Sequence, residues 1–453
     1  MCGGSEDVWQ DKYSLPRQTT MFIFKKILVF ILTLESRLIL AKYKPYIIAI
    51  TGSVGKTSAK DAIYCVVRRQ YKYPRKSEKS LNSEIGLPLT IIGVPNAWHS
   101  PFGWFSNIAR GLDLIIFRRE YPDCLVLEIG ADHPGDISKT VRWLKPDCAV
   151  LTRISRTPVH VEFFASPEQV FQEKSFLARA VKPGGKAVLY ADDERLIALG
   201  RELKDRNISV VTFGTSQISD VRGGYFSPVY TDGILSGMTF KLEMDGSSIS
   251  ISLPKVVGLS HSYSLLAAAA VGKAGTIPLE TIIPGLSEYV PPRGRMNIIA
   301  GQNETVLIDD TYNSSPDAVE SALETLISLE TSGIKVALLG DMMELGSYAS
   351  EQHRIVGVLA AKIVSRLVTV GPRSRITAGE AKKSGLSSDM VHSCDSASEA
   401  AQYIIQFLKP GDIVLIKGSQ STRMEVAVKA LMREPDRAPE LLVRQEREWL
   451  MKN

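Results

Sequence analysis

An α/β fold with a mostly parallel central sheet is predicted, because short apolar runs alternate with helical segments from residue 46 onward. The runs that predict strands are "YIIAI", "DCLVLEIG", "PDCAVLTRI", "GKAVLYADD" and "ISVVTFG". The stretch "KTSAKDAIYCVVRR", which follows the first run, has helical spacing. Strands that alternate with helices form parallel sheets, since each crossover helix covers one face of the sheet.

A proline-rich break at residues 290–296, "VPPRGRM", divides this pattern into two parts. Beyond the break, "ETVLIDD", "KVALLGD", "RLVTVG" and "DIVLIKG" predict a second set of strands. Before it, alternation around Asp245-Gly246 predicts an antiparallel hairpin. We therefore expect an N-terminal helical segment at 1–45, a central domain at 46–290 and a Rossmann-like α/β domain at 291–453.

Composition excludes several classes of protein. The chain has 453 residues, enough for two or three domains, and a net charge of +5. That charge is too small to argue for a nucleic-acid partner, and it suits an anionic ligand such as a nucleotide equally well. The five cysteines form no C-x-x-C pair, so neither a zinc site nor a disulfide framework is indicated. We expect a reducing compartment, the cytoplasm.

The apolar segment 21–40 is too interrupted by charge to be predicted as a membrane span. Lys25, Lys26, Glu35 and Arg37 break the run of about 20 apolar residues that a spanning helix needs. No small-residue cleavage site follows, so a secretory signal is not indicated. We expect an amphipathic or buried helix that packs against the protein, with peripheral membrane contact, Lys25 and Lys26 facing the headgroups, as the alternative.

The stretch "TGSVGKT", residues 51–57, lies between the first predicted strand and the first predicted helix, as a phosphate-binding loop requires. It is shorter than the common G-x-x-x-x-G-K-[ST] loop, since two residues separate Gly52 from Gly55. Amides at a helix start bind phosphate oxygens, Lys56 adds charge, and the Thr57 hydroxyl suits Mg²⁺. The loop predicts a P-loop-type nucleotide site, and a glycine-rich turn with a chance Lys-Thr pair is the alternative.

Other polar residues lie where a ligand cleft is expected. Glu128 ends an apolar strand, where a buried carboxylate needs a cation or a partner and where parallel sheets bind ligands. It is a candidate Mg²⁺ ligand, with a structural ion pair or helix cap as the alternative. Asn82 and Ser83, in "KSEKSLNSEIGLPLT", are ligand candidates or plain loop residues. Taken alone, His160 and Lys174 indicate nothing beyond a structural histidine and a solvated lysine.

Several motifs, in order, resemble the Mur ligase family and its MurF branch in particular. "TGSVGKT" resembles T-G-x-x-G-K-[ST], "SLNSEIGLPLT" resembles N-x-N-N-E-I-G-x-P, and "LEIGADHPGDI" resembles E-M-G-A-N-H-P-G-E-I. "RMNIIAGQNETVLIDDTYNSSPDAVESAL", "LLGDMMELGSYASEQH" and "VLIKGSQSTRME" are similar to three further stretches. The resemblance covers residue 46 to about residue 431.

The resemblance implies an ATP-dependent ligase that forms an amide bond through an acyl phosphate. The implied substrates are a nucleotide- or lipid-linked muramoyl peptide, as the carboxylate, and D-alanyl-D-alanine or a similar amino acid or dipeptide, as the amine, in peptidoglycan synthesis. The implied cofactors are ATP, two Mg²⁺ ions and a CO₂-derived carbamate on one lysine.

Residue roles carry over by position in the matched motifs. The implied catalytic residues are Lys56, Glu128, His160 and Lys174. The implied metal ligands are Thr57, Glu128, His160 and Lys174, the last as its carbamate. The implied ATP-binding residues are Gly52, Ser53, Val54, Gly55, Lys56, Thr57, Ser58, His261, Ser264, Arg295, Asp310, Tyr312 and Asn313. The implied substrate contacts are Asn82, Ser83, Lys417, Ser419 and Arg423.

Departures from the family pattern bear on the substrates. About 45 residues precede the loop, too few for the domain that binds the UDP part of the substrate in MurF. "GLSHSYSLLAA" replaces G-x-H-N-x-x-N-x-L-A-A, so we expect rearranged adenine contacts. Asp132 and Ser83 each replace an asparagine. We expect catalysis to be retained and the carboxylate substrate to differ.

Three other functions compete with this interpretation. A Mur-like ligase for a folate or glutamyl-chain carboxylate is disfavoured by the MurF-like C-terminal stretches. A P-loop switch or kinase leaves Lys174 and the stretches "DDTYN" and "KGSQSTRME" unexplained. A non-catalytic nucleotide-binding relative is disfavoured by the retained Lys56, Thr57, Glu128, His160 and Lys174.

Overall fold

The protein contains two sheets flanked by helices. The structure is a computed structural model that describes residues 14–78, 81–98, 100–158 and 160–451. The side chains of residues 14–24, 448 and 450 are not described. Residues 1–13 of the predicted N-terminal segment lie outside the described residues. The first sheet contains β1 (Tyr46–Thr51), β2 (Pro74–Lys76), β3 (Cys124–Glu128), β4 (Cys148–Leu151), β5 (Lys186–Tyr190), β6 (Ser209–Gly214), β7 (Val221–Thr231), β8 (Ile234–Met244) and β9 (Ser247–Pro254). The second contains β10 (Asn297–Ala300), β11 (Val306–Asp310), β12 (Lys335–Gly340), β13 (Arg366–Val370), β14 (Val391–Cys394) and β15 (Ile413–Lys417).

Helices connect most of the parallel strands, as the α/β pattern predicts. Those of the first part are α1 (Ser14–Tyr43), α2 (Lys56–Val67), α3 (Gly86–Ile92), α4 (Pro101–Ile116), α5 (Asp136–Thr140), α6 (Pro167–Arg179), α7 (Glu194–Asp205), α8 (Leu259–Ala274) and α9 (Leu279–Ser287). Those of the second part are α10 (Pro316–Ser328), α11 (Ala349–Ile363), α12 (Ser374–Lys383), α13 (Ala397–Ile404), α14 (Glu425–Leu431), α15 (Ala438–Leu441) and α16 (Arg447–Leu450). The predicted α/β class is confirmed.

The strand order of the first sheet creates a crevice at the end of β1. The order is β2-β3-β1-β4-β5-β6-β7-β8-β9, so β1 lies between β3 and β4, and all three run parallel. After β1 the chain forms β2 and β3 on one side of it and then β4 on the other side. Such a reversal of strand order opens a ligand crevice at the carboxyl ends of the strands. Residues that follow β1, β3 and β4 are therefore brought together.

The predicted hairpin is present at the far side of the same sheet. Asp245 and Gly246 link β8 to β9 with φ of 52° and 77°, the left-handed pair that a tight hairpin turn needs. The second sheet has the order β10-β11-β15-β12-β13-β14 and is parallel except for β10. Its strand register sets Asp310 beside Lys417. One core cluster runs from Leu28 to Tyr289, and the division near residue 290 stays a prediction.

Helix α1 packs on the first part of the chain through one side. Leu28, Leu32 and Ile39 are buried in the core cluster of the first sheet, and the helix packs against α3 and α4. This agrees with the expectation of a helix that packs against the protein. Among the described residues, no helix combines the length and the hydropathy that crossing a bilayer requires.

Candidate active site

The loop between β1 and α2 can be formed only with glycine at two positions. Gly52 has a φ of +153°, and a Cβ there would lie 1.9 Å from Thr152 Oγ1. Gly55 has a φ of +83° and precedes the first residue of α2, and a Cβ there would lie 3.7 Å from Ser264 Oγ. Because a β-carbon would strain the second position and collide at the first, these glycines fix the short loop that the sequence predicts.

The loop is held in place by residues that follow β4. The amides of Ser53 and Val54 donate to the Arg153 carbonyl at 2.9 and 3.2 Å. Thr152 Oγ1 donates to the Val54 carbonyl at 2.8 Å. The position of the loop is therefore set by the sheet as well as by its own chain neighbours.

Lys56 closes back over the loop that carries it. Its Nζ donates to the carbonyls of Gly52 and Ser53 at 3.0 and 3.4 Å. Burial lowers the pKa of Lys56, and the nearby Arg295 also lowers it. The amine lies above the start of α2, where amides and the helix dipole favour an anion.

Glu128 is the centre of a polar cluster at the end of β3. Its Oε1 accepts from Thr57 Oγ1 at 3.2 Å and from Asn82 Nδ2 at 3.3 Å. Lys60 Nζ lies 3.9 Å from the other carboxylate oxygen. A hydroxyl and a carboxylate oxygen at this separation suit neighbouring ligands of one Mg²⁺, for which bonds of about 2.1 Å place adjacent ligands about 3 Å apart.

His160 connects the two parts of the chain. Its Nδ1 lies 2.9 Å from Glu344 Oε2, and its Nε2 lies 3.4 Å from Asp132 Oδ1. Hydrogen bonding to His160 holds the pKa of Glu344 below its usual range. The backbone of His160 is left-handed, with a φ of 67°. Two carboxylates and an imidazole thus meet at the edge of the cleft.

Lys174, on α6, is buried and points into the same cleft. Among the described residues, none forms a hydrogen bond or ion pair with its Nζ. Burial lowers the pKa of Lys174 to about 7, and the nearby Lys56 ammonium adds to the effect. A buried amine that is partly neutral near pH 7 is a nucleophile.

The opposite wall of the cleft comes from the second part of the chain. The Arg295 guanidinium stacks on the Tyr312 ring at 4.1 Å. The Arg295 carbonyl accepts from Nε2 of the buried His261 at 2.7 Å, and Nδ1 of that ring accepts from Tyr289 at 3.1 Å. Burial lowers the pKa of His261 to about 4, so the ring is neutral at pH 7. His261 supports Arg295 from behind and does not line the cleft.

A buried ion pair stands beside Arg295. Lys417 Nζ lies 2.6 Å from Asp310 Oδ2 and donates to the Asn313 carbonyl at 2.9 Å. Both side chains are almost fully buried, 1% and 8% exposed. A charged pair in this setting is stable only while both partners are present.

The cleft has a polar half and an apolar half that share Val54, Gly55, Arg295 and Ala318. The polar half is lined by Gly52, Ser53, Val54, Gly55, Lys56, Thr57, Asn82, Glu128, Asp132, His160, Lys174, Arg295, Tyr312, Asn313, Ser314 and Ser315, among others. The apolar half includes Ser58, Arg153, Tyr263, Ser264, Met296, Asp310, Asp317, Ala322 and Lys417. The catalytic and metal-binding candidates therefore meet in the polar half.

Four predicted residues lie outside both halves. His261 lies behind Arg295, as described above. Ser419 Oγ accepts from the Met343 amide at 3.0 Å, and Arg423 Nε donates to Glu425 at 2.5 Å. Ser83 lines a neighbouring cavity instead. The roles of these four residues stay predictions.

Sequence reasoning missed a contact that bridges the cleft. Arg153 follows β4 and lies 3.4 Å from Asp317, which belongs to the first turn of α10. Glu344, the partner of His160, was also missed. Arg153 follows a buried parallel strand, a position that predicts a ligand crevice. No local pattern indicates Glu344, because its partner is almost two hundred residues away in the sequence.

Two parts of the chain match the models of known domain families. Residues 106–272 match the Mur ligase middle domain, and residues 294–420 match the Mur ligase, glutamate ligase domain. Together they include Glu128, His160, Lys174 and Arg295, while the phosphate loop lies upstream of both matches.

Similar proteins include two ligases and one solved structure. UDP-N-acetylmuramoyl-tripeptide–D-alanyl-D-alanine ligase of Bacillus subtilis (strain 168) is 27% identical over 390 residues, which are 86% of this chain and 76% of that protein. The ligase of the same name from Mycobacterium tuberculosis (strain ATCC 25618 / H37Rv) is 30% identical over 406 residues, 85% of this chain and 72% of that protein. MurF ligase from Thermotoga maritima, solved in complex with ADP, superimposes with a TM-score of 0.73 at 24% identity, covering 90% of this chain and 84% of that one.

The cleft, the matched domains and the relatives define an ATP-dependent ligase. At 24% identity the solved structure supports the fold alone. The chain belongs to the Mur ligase family.

Proposed function

We propose that this ligase joins D-alanyl-D-alanine, or a similar amino acid or dipeptide, to the carboxylate of a muramoyl peptide in peptidoglycan synthesis. The two relatives described above are named for that reaction, and each aligns with at least 85% of this chain. The observation that carries the proposal is the meeting of Lys56, Glu128, His160 and Lys174 in one cleft with Arg295 opposite.

The reaction balances in two steps. A carboxylate oxygen of the acceptor bonds to the γ-phosphorus of ATP, the bond to the bridging oxygen breaks, and ADP leaves an acyl phosphate behind. The amine nitrogen then bonds to the acyl carbon, and the tetrahedral adduct expels inorganic phosphate while the amine loses a proton. The protein has to hold the partners in line and neutralise charge on the phosphoryl group.

ATP fits the cleft with its phosphates in the polar half. The amides at the start of α2 and Lys56 would hold the β- and γ-phosphates, and Arg295 would approach them from the opposite wall. The nucleoside would extend into the apolar half, toward Ser264 and Asp310. Tyr312 and Asn313 line the polar half close to the same wall.

Two magnesium ions suit the acidic cluster. The 3.2 Å separation of Thr57 Oγ1 and Glu128 Oε1 fits one of them. The second would use His160 and a carbamate on Lys174. Bound magnesium neutralises phosphate oxygens, and the chain supplies the oxygen and nitrogen ligands.

The carbamate would arise from the neutral Lys174 amine. Its nitrogen bonds to the carbon of CO₂ and releases one proton, which turns the neutral amine into an anion beside the second metal. Burial without a hydrogen-bond partner and a pKa of about 7 make that nitrogen available. An unmodified ammonium at this position would repel a metal ion.

The proposed location is the cytoplasm, where ATP and reduced thiols are present. Four free cysteines, Cys65, Cys124, Cys148 and Cys394, are buried and unpaired by disulfides in the described residues. The exposed side of residues 21–40 supports the predicted peripheral membrane contact, because Ile27, Phe30 and Leu34 face solvent there.

Phosphate release tests the function directly. Wild-type protein with ATP, Mg²⁺, bicarbonate and D-alanyl-D-alanine should release phosphate only when a muramoyl peptide is added. Lys56→Ala should lose this release, and Lys429→Ala, an exposed lysine far along the chain, serves as the matched control. Absence of release with every muramoyl peptide tried would exclude the proposed substrates.

The carbamate has a separate test. Removing CO₂ from all solutions should slow the wild type, and bicarbonate should restore it. Lys174→Ala should be inactive with or without bicarbonate. Wild-type turnover in that variant would remove the carbamate from the proposal while leaving the ligase function in place.

A further inference from the structure

Helix α1 exposes a row of large apolar side chains. Ile27, Phe30, Leu34 and Leu38 are each between 44% and 68% exposed. Their spacing of three, four and four residues sets them on one side of the helix. The buried residues of α1 lie on the opposite side, so the row faces away from the core.

Helix α4 exposes a second row, whose spacing of three, seven and four residues also sets it on one side of the helix. Phe102, Phe105, Leu112 and Ile116 are each between 46% and 79% exposed. Trp104 and Leu114 are buried on the inner side of the helix. Phe117, which follows α4, is 55% exposed and extends the row.

The two helices lie side by side and run in the same direction. Glu35 of α1 approaches Gly111 of α4 so closely that a Cβ on Gly111 would lie 2.3 Å from the carboxylate. Further along, Lys42 Nζ donates to the Leu114 and Phe117 carbonyls at 2.9 and 2.7 Å. The two rows therefore form one surface, here called the α1/α4 face.

The exposed apolar area of the α1/α4 face indicates that a partner binds there. Single exposed apolar residues are ordinary, whereas eight or nine on two adjacent helices form a patch that marks an interaction site. The exposed fractions show that no described element covers it.

The charge around the α1/α4 face selects the kind of partner. Lys26, Arg37, Arg110 and Arg118 are exposed along its borders. The carboxylates of the two helices offset this charge only in part, because Glu35 is 3% exposed and the single charge of Asp113 is shared by Arg110 and Arg119. An apolar face with a basic border suits anionic lipid headgroups. A second copy of the chain would bring like charges together.

A cavity links α1 to the active site. Its volume is about 1560 Å³ with its mouth included, and Lys25, Val29 and Thr33 of α1 form one wall. Asn82 and Asp132 line both this cavity and the polar half of the cleft. On α1, the residues that line the cavity lie on the side between the buried residues and the exposed row, and Lys25 among them is exposed.

We propose that the α1/α4 face docks on an anionic bilayer and that the cavity beneath α1 admits an acceptor whose muramoyl peptide is carried on a lipid diphosphate. The acceptor half rests on the proposed function, whereas the docking half does not. Docking would bring the lipid-borne carboxylate to the mouth of the cavity and lead it toward Glu128.

Vesicle sedimentation tests the docking half with the full chain. Wild-type protein should sediment with vesicles of phosphatidylcholine and phosphatidylglycerol, less with phosphatidylcholine alone, and less at high salt. Phe30→Glu/Phe105→Glu should reduce the bound fraction by about ten-fold or more. Ile218→Glu/Ile327→Glu, which changes two exposed isoleucines elsewhere, is the matched control and should bind as the wild type does.

The docking half is overturned by unchanged binding in the Phe30/Phe105 variant, or by no binding of the wild type. A dimer that this variant separates, without vesicle binding, would assign the face to a second copy. Circular dichroism confirms that both double variants are folded.

Phosphate release tests the acceptor half with two acceptors, one linked to a soluble nucleotide and one linked to lipid in the same vesicles. In the Phe30/Phe105 variant, the rate of phosphate release should fall about ten-fold with the vesicle-borne acceptor and stay unchanged with the soluble one. Equal rates of variant and wild type on vesicles overturn this half. No release with either acceptor overturns the proposed function and this half together, while docking is decided by sedimentation.

Discussion

The two walls of the cleft hold their ligand-facing groups by different means. The wall after β1 is built from backbone, since Gly52 and Gly55 shape the loop and amides tie it to Arg153. The opposite wall is built from side chains that hold one another in place by hydrogen bonds and ion pairs. His261 supports Arg295, and Lys417 neutralises Asp310.

This difference predicts where each wall is vulnerable. A wall formed by backbone is disrupted by steric conflict. Added atoms should therefore lower turnover more than nearby changes of charge do. A wall of buried polar side chains fails when one partner is removed, because the remaining charge or donor is left without compensation.

Removal of one partner of the buried ion pair should give the largest effect. Asp310→Ala leaves the Lys417 ammonium buried, and the free energy of unfolding should fall by about 3–5 kcal/mol. Asp310→Leu/Lys417→Met should recover most of that loss, since an apolar pair replaces a charged one. Urea unfolding measures both, and a loss below about 1 kcal/mol in the single variant would contradict the picture of a wall held by paired charges.

Acid should weaken the same wall through His261. Its pKa is lowered from 6.5 to about 4, so folding favours the neutral ring. The stabilisation is complete above pH 6.5 and is lost as the pH falls toward 4, by up to about 3 kcal/mol. His261→Gln cannot titrate, so the difference between variant and wild type should shrink across that range. A difference that is constant with pH would show that the ring does not respond to acid as described.

Addition of one carbon to the backbone wall should stop turnover. Gly52→Ala places a Cβ against Thr152, and the displaced loop should lower turnover by at least about a hundred-fold. Gly184→Ala is the control, because Gly184 has a φ of +73° and open space. It should cost about 1 kcal/mol of stability and leave phosphate release unchanged. Near-normal turnover of Gly52→Ala would mean that the loop can relax.

The ion pair that bridges the walls should matter least. Arg153 and Asp317 lie 3.4 Å apart, and the arginine side chain is 35% exposed. Arg153→Ala should lower stability by less than about 1 kcal/mol and raise the KM for ATP about three-fold, with the difference fading at high salt. A much larger effect on KM would place Arg153 in direct contact with the nucleotide.

The fold was predictable wherever strands are buried on both sides. The missed strands β2, β10 and β14 are all at sheet edges, where part of the strand remains exposed and no apolar run forms. The hairpin strands were found because Asp245-Gly246 indicates a turn directly.

The candidate site was predictable where a motif is local. The loop, Glu128 and Lys174 lie in stretches that a family pattern covers, and the structure brings them into one cleft. Glu344 and Arg153 act through partners distant in sequence, so no window of residues indicates them. His261 shows the converse, because its position in a motif did not indicate that both ring nitrogens are used by Tyr289 and the Arg295 backbone.

The hydrogen bonds from the loop to Arg153 have a mechanical consequence. Ser53 and Val54 are tied to the residue after β4, and Thr152 is tied to the loop in return. We therefore expect the phosphate loop to move together with the first sheet. A displacement that admits or releases a nucleotide should then occur at the opposite wall rather than in the loop.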